Sequence, residues 1–140
     1  MIQDSDPHAL GEPGGALGYY TIKHSVAVKF DLYNNSGEGF DSTGLFVNGT
    51  YPDNNASTTD LKPDGIDLHS GHPFRVDISY TGTKMKVLIT DLQTKAVATR
   101  TYTINIATTI GASTAYVGFT GSTGGDAATQ KILTWEYLSQ

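Results

Sequence analysis

Apolar and polar positions alternate with a period of two along most of the chain after residue 20. In "FRVDISY", Phe74, Val76, Ile78 and Tyr80 alternate with Arg75, Asp77 and Ser79. "TGT" then turns the chain into "KMKVLITD", where Met85, Val87 and Ile89 form the apolar row, and the two segments predict a hairpin. After the turn "DLQTK", "AVATRTYTINI" adds a third strand, with Tyr102, Ile104 and Ile106 on one side and Thr99, Thr101 and Thr103 on the other. "TGLFVNG", "AYVGFTG" and "KILTWEYLS" predict further strands, the last two joined by a glycine-rich loop at residues 121–130. Trp135 falls in a row with Leu133 and Tyr137 and is expected in the core. No window carries a helical period with caps. Antiparallel strands at such short spacing predict an all-β sandwich.

The strand "VAVKFDLYNN" has two unlike faces. Val26, Val28, Phe30 and Leu32 form a core row, while Ala27, Lys29, Asp31, Tyr33 and Asn35 point the other way. Two stretches resist a strand reading: residues 1–18, an arm ending in a glycine loop, and residues 49–65, which carry Asp53, Asp60 and Asp64. The expected organisation is therefore an arm over 1–18 and a single β domain over 19–140.

Composition narrows the function. The chain has 140 residues, 38% hydrophobic and 16% charged, which suits one globular domain. Its net charge is −5 and its nine Lys and Arg are scattered, so the basic footprint of a nucleic-acid binder is missing. With no cysteine, disulfides, thiolate metal sites and a cysteine nucleophile are excluded. No apolar run is long enough to span a membrane, and no membrane insertion is expected.

Asp31, Asn35 and Asp41 offer the oxygen donors that a hard cation such as calcium requires, but a solvated strand end running into the turn "NNSGEG" explains the same residues. Spacing leaves both readings open. His69 and His72 in "DLHSGHPF" form an H-x-x-H with Asp67 nearby, a pattern that suits zinc but is more simply a polar turn. No acidic residues alternate on a strand as a glycoside hydrolase of this architecture needs, and no G-x-S-x-G elbow is present. Tyr19, Tyr20, Tyr51 and Trp135 have rings suited to the apolar faces of sugars, Tyr51 being the loop candidate.

Taken in order, "GGALGY", "HSVAVKFDLYNN", "GLFVNG", "AYVGFTGSTGG" and "ILTWEYLS" resemble a legume-type (L-type) lectin domain, in particular the bacterial members of that concanavalin-like group. The resemblance runs from about Gly14 to Leu138. It implies a concanavalin-like jelly roll, non-catalytic carbohydrate binding, and a secreted, extracellular protein. It implies calcium held by Asp31, the Tyr33 carbonyl, Asn35 and Asp41. Sugar contacts are implied for Gly14 or Gly15, Tyr33, Asn35 and the loop Thr123, Gly124, Gly125, Asp126 and Ala127.

Lys29 stands where the family has a manganese-binding glutamate, and no histidine follows Asp41 at the family's spacing, so manganese is not expected. A Lys29–Asp31 interaction is an alternative to calcium. The family's acidic sugar-binding loop upstream of the glycine loop has no counterpart here. The domain is accordingly expected to be incomplete or completed in a homo-oligomer. A structural or adhesive domain with a degenerate sugar site is the alternative function, with a glycoside hydrolase behind it.

Overall fold

The computed structural model describes residues 1–53 and 57–138, among which eight strands form two antiparallel sheets. In chain order the strands are β1 (Ile2–Gln3), β2 (Ser25–Asp31), β3 (Ser42–Val47), β4 (Thr58–Asp60), β5 (Phe74–Tyr80), β6 (Lys84–Asp91), β7 (Val97–Thr103) and β8 (Tyr116–Val117). One sheet has the order β4-β3-β2-β1-β8 and the other is the meander β5-β6-β7. The sandwich expected from the alternation is the observed architecture.

The main core lies between the sheets. Alternation on β6 turns Met85, Val87 and Ile89 inward against Val26, Leu61, Ile66, Ala98, Ile106 and Ile110. Full burial of such side chains contributes about 1.5–3 kcal/mol each. The opposite face of β2 is covered as well: Ala27 packs with Tyr19, Ile22 and Phe46, with Met1, Ala9 and Leu17 around them. Both faces of β2 are thus inside the protein. Of the row read as the second face, Lys29 and Asp31 are each only 2% exposed, whereas Tyr33 and Asn35 beyond the strand end are exposed.

Several elements differ from the pattern. Ile2–Gln3, in the stretch read as an arm, pairs with β2 on one side and β8 on the other. Thr58–Asp60, inside the stretch read as a loop, pairs with β3 as an edge strand. The meander's last strand stops at Thr103, because the Asn105 side chain accepts a hydrogen bond from the Thr108 N–H and starts a helix, α1 (Ile106–Ile110). Ile104 therefore lies between strand and cap, and Ile106 opens the helix, so neither continues the alternating row.

"AYVGFTG" contributes only Tyr116–Val117, and "KILTWEYLS" forms no strand among its described residues. Leu133, Trp135 and Tyr137 are 73%, 55% and 59% exposed, so Trp135 is not in the core and instead meets the Phe119 ring edge-on. Alternation can mark a segment as suited to a sheet, but whether it pairs is decided by the tertiary structure.

The β5 edge is uncovered in a related way. Val76 and Ile78 pair with the fully buried Ile89 and Val87, which puts them on the inner face of the sheet, yet they are 39% and 51% exposed.

Candidate functional site

Where β2 ends, a buried ammonium ties three segments together. Lys29 Nζ donates to the Asp31 carboxylate at 3.2 Å and to the Pro52 carbonyl at 2.6 Å, and lies 3.6 Å from Glu38 Oε1. It sits 5.6 Å from the centroid of the Phe46 ring, in the range of a cation–π contact. Nearby, burial followed by the charges of Asp31 and Asp53 pushes the Tyr19 hydroxyl far above the usual phenol value.

Glu38 carries the next link. Its carboxylate accepts from the Ser36 N–H at 2.6 Å and the Asn35 N–H at 3.3 Å. Burial alone would raise its pKa, but the backbone N–H groups of Glu38, Ser36 and Asn35, with Lys29, outweigh it and hold the carboxyl below the ordinary range. Asp31 similarly accepts from the Tyr33 N–H at 3.1 Å. The loop after β2 is thus held at its base by carboxylates that share one cation.

Above this base, loops from four parts of the chain converge. A side-chain carbon at Gly15 would lie 3.1 Å from the Tyr51 hydroxyl and 3.3 Å from Asn35 Oδ1. One at Gly124 would lie 3.2 Å from the Gly14 Cα, a tight approach, and Gly14 itself has a φ of +65°, a conformation that favours glycine. The Ser122 hydroxyl donates to the Gly14 carbonyl at 2.7 Å, and the Tyr51 ring packs edge-on against Tyr20 with centroids 5.0 Å apart. An exposed carboxamide, a half-buried phenol and backbone groups at a glycine-lined surface are polar groups of the kind that orient a small ligand.

Of the residues singled out from sequence, Gly14, Gly15, Asn35 and Gly124 come together here. Thr123, Gly125, Asp126 and Ala127 are exposed on the same loop as Gly124, and Tyr33 is exposed two residues beyond the Asp31 strand end. Ser122 was missed, since a serine two residues before Gly124 carries no distinguishing signal. Asp41 goes elsewhere: its Oδ1 accepts from the Leu68 N–H at 2.7 Å and lies 3.1 Å from His69 Nδ1. Register explains this, because Ser42, not Asp41, is paired with Asp31 and shares its face.

His69 and His72 part company. His72 Nδ1 lies 2.8 Å from Asp91 Oδ2, whereas Asp41, Asp67 and His69 present ligand atoms within 4.8 Å of one another, a group able to hold a metal ion.

The donor set around Asp31 does not fit calcium. Its Oδ2 is 3.2 Å from the Lys29 ammonium, and a calcium on that oxygen, at about 2.4 Å, would be at most about 5.6 Å from the ammonium. Two like charges that close in a buried site repel strongly. Asp41, which would complete the set, is engaged with residues 68 and 69.

The chain is an all-β sandwich with a glycine-lined loop surface beyond the end of β2. The family model described as the legume lectin domain matches residues 10–140, and the chain belongs to that family. The family supports carbohydrate binding in general, and its domain is generally non-catalytic. No curated protein matches the chain. No helix among the described residues is long and apolar enough to cross a membrane.

Proposed function

We propose that this chain is a non-catalytic carbohydrate-binding module acting outside the cell. Sugar hydroxyls would be met by the Asn35 carboxamide, by backbone groups of Gly14 and Gly15, and by the loop 123–127, with the Tyr51 ring and the exposed Tyr33 beside them. The observation that carries the reading is the meeting of Gly15, Asn35, Tyr51 and the Gly14–Gly124 contact at one surface. Asp31 is assigned in this reading to Lys29 rather than to calcium. No role is given to a general acid and base, because Asp31 and Glu38 are both buried around one ammonium and do not face each other across an open cleft.

Affinity per site should be weak, and a homo-oligomer would raise it through multivalency. The uncovered Val76 and Ile78 favour self-association, and they also favour the second reading, a structural or adhesive domain. A glycan-array assay on this chain, with excess calcium and with a chelator, separates the two. Binding to a defined sugar class that is lost in Asn35→Ala supports the carbohydrate reading. No binding in either condition, from protein shown to be folded, overturns it in favour of the structural domain.

A further inference from the structure

The Lys29 ammonium is positioned to do more than neutralise one carboxylate. It is 2% exposed, on the face of β2 that packs against Tyr19, Ile22 and Phe46. An ammonium has three N–H donors, and three oxygens surround this one: Asp31 Oδ2, the Pro52 carbonyl and Glu38 Oε1. An apolar side chain of similar length would fill the space, but it would leave two buried carboxylates without a counter-charge.

Each contact leads to the candidate surface. Glu38 holds the N–H groups of Asn35 and Ser36, and Pro52 follows Tyr51 directly in the chain. Asn35 and Tyr51 are the two side chains that meet above Gly15. A single cation therefore anchors both walls from beneath.

We propose that the Lys29 ammonium is the resident cation of this site, a positioning residue that holds Asn35 and Tyr51 in place, so that the site orders without a divalent metal. The purpose of that order rests on the carbohydrate reading; the role of Lys29 does not, and the experiment separates them. Thermal melting of the full chain is followed in EDTA, in calcium chloride and in manganese chloride, for the unmodified protein and for Lys29→Met.

The expected result is one midpoint for the unmodified protein in all three conditions. Lys29→Met should melt lower in EDTA and regain part of the difference in calcium, because the vacated carboxylates of Asp31 and Glu38 can then take the ion and binding to the folded state raises its stability. A merely structural lysine would not produce that gain of calcium dependence. A midpoint that rises with calcium or falls with EDTA in the unmodified protein, and does so equally in Asp67→Asn, where the separate Asp41–Asp67–His69 group has lost a ligand, would overturn the proposal. So would a folded Lys29→Met that stays indifferent to calcium. If Lys29→Met does not fold, isothermal titration of calcium into EDTA-stripped Asp67→Asn, in which the separate Asp41–Asp67–His69 group has lost a ligand, decides: tight binding overturns the proposal and no binding supports it. Metal-indifferent melting with no glycan binding would fault the carbohydrate reading and leave the role of Lys29 standing.

Discussion

The Ser122 hydroxyl donates to the Gly14 carbonyl at 2.7 Å, across 108 residues of chain. This bond and the Gly14–Gly124 approach dock the late glycine-rich loop onto the early one. Replacing Gly124 by Val would drive a branched side chain into Gly14. We expect Gly124→Val to lose at least about tenfold in glycan affinity, about 1.4 kcal/mol. Its melting midpoint should change little, because the loop lies outside both apolar cores. Glycan binding and a thermal melt on the same preparation check this.

Lys29 should matter for stability out of proportion to an ordinary lysine. Removing one partner of a buried ion pair leaves the other charge uncompensated, at a cost of about 3–5 kcal/mol. Lys29→Met is expected to fall in that range by urea denaturation in EDTA. Lys84→Met, at an exposed position of β6, should stay within about 0.5 kcal/mol of the unmodified protein.

Acid should destabilise the fold through two identified carboxylates. Glu38 is held below its ordinary 4.5 by backbone N–H groups and Lys29, against the effect of burial. Asp91 is held below its ordinary 3.8: burial raises it, but the His72 hydrogen bond and the Thr94 and Gln93 N–H groups outweigh that. A folded-state pKa below the unfolded value means that the unfolded chain binds the proton more readily, so the contribution is complete above the ordinary value and is lost as pH falls. The urea midpoint should therefore drop from about pH 5 downward. Glu38→Gln should flatten part of that slope.

The uncovered inner face of β5 predicts association. Val76 and Ile78 are 39% and 51% exposed beside buried partners, and apolar surface of this kind seeks cover. Sedimentation should show a mass that rises with protein concentration. Ile78→Lys is expected to shift the distribution toward the monomer without lowering the melting midpoint, since Ile78 is already half exposed.

The meander β5-β6-β7 was legible because its strands are neighbours in sequence and turn chemistry fixes the register. β2 and β3 were legible because the alternation of their apolar residues is strong. "KILTWEYLS" carries equally good alternation and still forms no strand among its described residues, since alternation says nothing about which strand a segment will pair with. Asn105 was misread because a cap is a matter of one side chain reaching one N–H, and the apolar residues after it continued the strand's rhythm.

The candidate site divides in the same way. From sequence came the sandwich, because alternation is a local property, and the lectin-like order of segments, whose family resemblance implied Gly14 or Gly15, Asn35 and Gly124 as sugar contacts. That Asp41 turns to His69, that Tyr51 joins Asn35 above Gly15, and that Lys29 is buried among Asp31, Glu38 and Pro52 was decided only by the tertiary structure. Whether an ammonium is a surface charge or an internal cation depends on what covers the strand that carries it. Here the cover is Tyr19, Ile22 and Phe46, brought over β2 by long-range packing that a strand's own alternation does not encode.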